Sequence, residues 1–325
     1  MNNSLSKVLI ISTLLITLLN ACKKEDDNID FRNEMRRFII GLSHYSKQQN
    51  PDFIVVPQNG QELITDTGEA NGTIMSEYIE AIDATAREDM LFGYFDDDQP
   101  SPSDFIEFMT SLCSLYTTKY KPALVIDYCF TPSKIDYSYT ENHRNGFISF
   151  AATERNLNII PSYPPEPFGV NNEDINNIED IKNFLYLING ENFETKQQLI
   201  ESISATNFDL LILDLFHFDE ALTPSEIAKL QQKANGSRRL VLCYMSIGEA
   251  ENYRYYWEKS WNNSPPRWLC EENKDWAGNY EVKYWDKEWQ QIIYGTAGAY
   301  LDRILKAGFD GVYLDLVDAF EYFEE

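Results

Sequence analysis

Residues 289–318 read WQQIIYGTAGAYLDRILKAGFDGVYLDLVD. Trp289 to Ala307 has the pattern of a helix, and Gly311 to Leu314 is a short apolar strand that stops abruptly at Asp315, with Asp318 three residues on. The same unit recurs along the chain. Further apolar strands are expected at Phe53 to Pro57, Ile82 to Arg87, Ala123 to Ile126, Phe147 to Ala151, Phe184 to Ile188, Leu210 to Leu213 and Leu240 to Met245. Helical stretches lie between most of them: Ser103 to Thr118, Lys196 to Ala205 and Pro224 to Ala234, with Phe31 to Gln48 ahead of the first strand. Eight short, continuously apolar strands separated by helices describe a parallel sheet covered by helices, and eight suggests an α/β fold of the (β/α)8 TIM-barrel type. A doubly wound open sheet is the alternative, but no GxGxxG turn opens a helix.

In such a barrel, ligands meet the C-terminal ends of the strands. Those ends carry Gln58-Asn59, Glu88-Asp89, Asp127-Tyr128, Asp214, Ser246 with Glu249, and Asp315 with Asp318. Each acid taken alone could be an N-cap for the following helix. Together they predict a carboxylate-lined mouth, which with aromatic neighbours suits sugar binding and glycosidic cleavage.

The chain has 325 residues, 52 acidic and 27 basic, for a formal charge of −25. At 43% apolar and 14% aromatic it can build a core, unlike a disordered acidic chain. The charge argues against nucleic acid as a partner, since phosphate backbones need basic stripes. Lys7 and the apolar run Val8 to Leu19 read as a leader, too short to span a bilayer. Leu19-Asn20-Ala21-Cys22 resembles a bacterial lipobox. The expected organisation is therefore a lipoprotein signal peptide at 1–21, a tether at 22–30 beginning with lipid-bearing Cys22, and one domain at 31–325. Membrane contact would be through the lipid anchor only, on the bacterial cell envelope.

Among the remaining cysteines there is no CxxC or Cys/His cluster, so neither a metal site nor a cofactor is expected. Asp96-Asp97-Asp98 lacks the glycine and glutamate of a calcium loop and reads as a solvated turn. Trp268, Trp276 and Trp285 read as packing residues, although a sugar could stack on that loop.

The stretches Val241 to Glu251 (VLCYMSIGEAE), Tyr253 to Trp257 (YRYYW), Trp276 to Trp285 (WAGNYEVKYW) and Gly308 to Asp318 (GFDGVYLDLVD) together resemble glycoside hydrolase family 114. Pro51 to Leu63 (PDFIVVPQNGQEL) and Ala81 to Gly93 (AIDATAREDMLFG) do so as well. The resemblance implies a TIM-barrel endo-α-1,4-polygalactosaminidase-like enzyme acting on galactosamine or N-acetylgalactosamine polysaccharide. It also implies Asp315 as nucleophile or charge stabiliser and Glu88 as general acid/base. Asn59, Asp214, Tyr244, Ser246, Glu249 and Asp318 would line the cleft, unless Asp318 caps the terminal segment and Glu249 pairs with Arg254. In the family the YxSIGE and GFDGVYLD segments precede the PQNG and ED segments, whereas here they follow, so the resemblance implies a circularly permuted barrel. A non-catalytic carbohydrate-binding lipoprotein on the same barrel is the competing expectation.

Overall fold

The computed structural model describes residues 29–324. The expected leader, Cys22 and most of the tether lie outside the described residues. Helix α1 (Phe31–Gln49) begins where the Asp30 carboxylate accepts a 3.0 Å hydrogen bond from the Asn33 backbone N–H, an N-cap. It buries Met35, Phe38, Ile39 and Leu42, four residues on one helical face. The chain continues through β1 (Ile54–Pro57), α2 (Ser76–Ala81), β2 (Thr85–Glu88), α3 (Ser103–Thr118), β3 (Ala123–Tyr128), α4 (Pro132–Arg144), β4 (Ile148–Ala152) and β5 (Phe184–Leu187). Next come α5 (Lys196–Ser204), β6 (Leu210–Leu213), the short hairpin β7 (Phe216–His217) and β8 (Glu220–Ala221), α6 (Pro224–Leu230) and β9 (Leu240–Ser246). The last part holds β10 (Glu249–Glu251), β11 (Leu269–Glu272), β12 (Asn279–Val282), α7 (Lys287–Ile293), α8 (Tyr300–Ala307), β13 (Gly311–Asp315) and α9 (Phe320–Glu324).

Five strands pair in the order β1-β13-β9-β6-β5, all parallel. Three more, β2-β3-β4, form a second parallel set. A parallel bridge between Gln58 and Ala86 joins the two sets. There Asn59 N–H donates to the Ala86 carbonyl at 2.8 Å, while Gln58 N–H donates to the Leu314 carbonyl at 2.7 Å. At the other margins, Phe150 of β4 and Phe184 of β5 pack with ring centroids 5.7 Å apart. The architecture is mixed α/β with a parallel central sheet, compatible with a TIM-like fold. Its strands are buried nearly throughout, as a sheet covered on both faces requires.

The first and last described helices meet. Phe31 stacks on Phe323 at 5.4 Å, and Arg32 pairs with Glu324 at 3.0 Å.

Three local expectations need correction. The helix expected from Trp289 to Ala307 is two, α7 and α8, because the chain turns through left-handed backbone at Gly295 and Gly298 (φ +86° and +88°). The second strand starts at Thr85 rather than Ile82, since Asp83 is taken up by the Val55 N–H (2.8 Å) and by Lys47 (2.9 Å). The loop expected to carry Trp268 and Trp276 after β9 holds the antiparallel β10-β12-β11 sheet, and the connection after β6 holds the β7–β8 hairpin; both follow directly on strands of the parallel sheet.

Candidate active site

Glu88 is the last residue of β2 and Asp315 the last of β13, with β1 paired to β13 and bridged to β2 between them. Two strand spacings put the backbones about 10 Å apart, close enough for both side chains to reach one cleft. They do: both line a cavity of ≈ 670 Å³ at the C-terminal ends of the strands. The Glu88 carboxylate accepts hydrogen bonds from the Gln58 amide and the Tyr128 hydroxyl, with the Asn59 amide farther off at 3.4 Å. Gln58 is itself fixed by the Tyr186 hydroxyl at 2.9 Å. The Asp315 carboxylate accepts from the Tyr244 hydroxyl at 2.6 Å and from the Leu316 N–H at 2.8 Å.

These surroundings perturb both acids. Burial, then the neighbouring Asp315 charge, pushes Glu88 up to about 7, against the Tyr128 hydrogen bond that favours its ionised form. Burial also raises Asp315 to about 7, against its bond from Tyr244 and with the help of the Asp318 charge. Two carboxyl groups in this range share protons as a unit, so that one can be protonated while the other is ionised.

The backbone beside this pair is held in uncommon conformations. Asn59, Asp89 and Leu316 follow the ends of three adjacent strands, all at positive φ (61°, 58° and 57°). Asn and Asp tolerate the left-handed region, whereas a leucine there is strained, a feature concentrated at functional sites. Gly248 of the SIGE turn packs under this bend: a Cβ at that position would sit 2.2 Å from the Leu316 carbonyl oxygen.

The remaining sequence-derived residues are distributed unevenly. Asn59, Asp214, Tyr244 and Glu249 line the cavity; Ser246 and Asp318 do not appear in its wall. Ser246 is buried in its own turn, where its hydroxyl donates to the Glu249 carbonyl at 3.0 Å. Asp318 sits in the 3-10 turn Val317–Ala319 and is raised to about 7, chiefly by burial and against the pull of Arg87. Asp214 is paired with Arg254 at 2.7 Å, and Arg254 also grips Glu251 at 2.5 Å. The Glu249 carboxylate takes its hydrogen bond from Asn273 at 2.7 Å, not from Arg254. Asp127 faces away, accepting from the Leu91 N–H (2.6 Å), Ser138 (2.6 Å) and Asn142 (2.8 Å), and so anchors α4 and the loop after β2.

Sequence reasoning passes over Gln58 and Tyr128 as groups that hold Glu88, and over Tyr186, which holds Gln58. It also passes over Arg155, whose guanidinium lies 3.9 Å from the Tyr128 ring centroid and pairs with Asp97 at 2.6 Å. Strand alternation is the usable signal for Tyr128, because Asp127 and its neighbour must point to opposite faces. Arg155 lies in the connection after β4 and gives no sequence signal. Asp98 is not a solvated turn. It is buried at positive φ, bonded to the Phe130 and Thr131 N–H groups at 3.0 and 2.9 Å and paired with Lys134 at 2.8 Å.

Residues 184–325 match the family described as Glycoside-hydrolase family GH114. The resemblance read from the YMSIGEAE and GFDGVYLD motifs is therefore borne out over that segment. An uncharacterized protein of Methanocaldococcus jannaschii is 39% identical over 168 residues, which cover 50% of this chain and 46% of the relative. An uncharacterized protein of Deinococcus radiodurans is 42% identical over 125 residues, 38% of each chain. One of Thermotoga maritima is 39% identical over 124 residues, 38% of this chain and 36% of its own. The chain thus spans less than half the length of these curated relatives.

Proposed function

We propose that this chain, similar over residues 184–325 to glycoside hydrolase family GH114, hydrolyses glycosidic bonds in a galactosamine- or N-acetylgalactosamine-containing polysaccharide. The observation that carries the reading is the pair of raised carboxyl groups, Glu88 and Asp315, lining one cleft. Protonated Glu88 gives its proton to the leaving oxygen as the glycosidic C–O bond breaks. Ionised Asp315 attacks, or stabilises, the positive anomeric carbon, and water supplies the oxygen of the new reducing end. The division of roles follows the family resemblance. Among the described residues, seven carboxylates (Glu88, Glu191, Asp214, Asp219, Glu249, Glu251, Asp315) but only Arg155 and Arg254 line the cavity, a balance that favours a cationic amino sugar. Incubation with galactosamine and N-acetylgalactosamine oligomers, with products weighed by mass spectrometry, tests this. Shorter oligomers are expected; binding without cleavage would favour the carbohydrate-binding alternative.

A closed, circularly permuted barrel accounts for the motif order, and the pairing of β1 with β13 and the contact of Phe31 with Phe323 support it. A crystal structure with β13 and β1 apart would contradict it. Lipid attachment at Cys22 would hold the enzyme on the cell envelope beside its polymer. Cys22→Ala is expected to move the protein to the soluble fraction on cell fractionation, and a variant that stays with membranes would remove the anchor from the account.

A further inference from the structure

The cleft is asymmetric. Among its lining residues, the most exposed rings come from the connections after β6 and β9: Phe218, Tyr253 and Trp276, which are 66%, 62% and 54% exposed. Both connections begin with elements beyond the helix–strand alternation, the β7–β8 hairpin and the β10-β12-β11 sheet. The rings of Phe218 and Tyr253 are exposed but anchored. Phe218 occupies the hairpin turn at φ +52°, a genuine strain for an aromatic residue. It is held there by buried His217, whose ring lies 4.5 Å from it and whose Nε2 bonds to the Phe193 carbonyl at 2.9 Å. Tyr253 is fixed by its hydroxyl, which donates to Glu251 at 2.6 Å. The Trp276 backbone N–H donates to the Asn273 side chain at 3.3 Å.

Resting on the glycosidase reading, we propose that Phe218 and Trp276 are stacking platforms for amino-sugar rings outside the scissile bond, a binding subsite built by the two inserted elements. The negative face of an aromatic ring attracts polarised C–H groups and ammonium groups, and a galactosamine unit offers both. Continuity with the catalytic cleft identifies the occupant as further units of the same polymer. A ring that served only to pack would be buried, as Trp268 is, with its centroid 5.1 Å from Trp261 and from Trp289.

The test uses the full chain carrying Phe218→Ala and Trp276→Ala, singly and together, with galactosamine trimers and hexamers as probes. The exposed positions should leave the melting temperature unchanged. The double variant is expected to lose at least tenfold in kcat/KM on the hexamer, mainly through KM, and less than threefold on the trimer. In a Glu88→Gln background, isothermal titration calorimetry with the hexamer should show its Kd rising at least tenfold when both rings are removed. Equal losses on both lengths, or unchanged hexamer affinity, would overturn the platforms while leaving the glycosidase reading intact. A parent chain that neither cleaves nor binds the hexamer would overturn both.

Discussion

Glu88→Gln is expected to lower turnover by roughly 10²–10⁴-fold, the usual range for loss of a positioned acid/base, and Asp315→Asn by at least as much. Each change removes a charge with little change in volume, and Gln and Asn can still meet Tyr128 and Tyr244. Both variants should therefore fold, and circular dichroism should match the parent while hydrolysis of galactosamine oligomers collapses. Full activity in either variant would remove that residue from the mechanism. Asp214 would then be a poor successor, because Arg254 already neutralises it across 2.7 Å.

A second large effect concerns pH. Glu88 and Asp315 are raised to about 7, while a carboxyl group in the unfolded chain titrates near about 4. The folded state thus binds more protons than the unfolded state between these values, so stability falls as pH rises from about 4 to about 7. Above that window both groups are ionised in either state, and the whole penalty is present. Replacing one acid by its amide removes its share. Glu88→Gln or Asp315→Asn should be more stable than the parent by about 1–3 kcal/mol at pH 8 and no more stable at pH 4, measured by urea unfolding. Activity should follow a bell centred near neutral pH, because turnover needs one carboxyl of the pair protonated and the other ionised. An amide variant whose stability relative to the parent is the same at pH 4 and pH 8 would show that the buried charges carry no such penalty.

The parallel strands were legible because each is a run of buried apolar residues, and their carboxylate ends were legible because the run stops there. Gly311 to Leu314 followed by Asp315 marks both a strand and its mouth-facing end. What sequence reading missed depends on direction rather than residue type. Asp127 and Tyr128 are adjacent, and only a fixed strand orientation decides that the tyrosine meets Glu88 while the aspartate anchors α4. Arg254 bridges Asp214 and Glu251 rather than meeting Glu249, a contact between two connections that no local pattern encodes. Trp276 shares its motif with buried neighbours, and its exposure follows from the sheet that carries it.

Hydrolysis of galactosamine hexamers in ¹⁸O-labelled water puts the two-carboxylate account to its most direct test. Shorter oligomers with one ¹⁸O at each new reducing end are the result it requires, lost together in Glu88→Gln and Asp315→Asn. Intact hexamers, unsaturated products without added water, or labelled products that persist in both amide variants would contradict it.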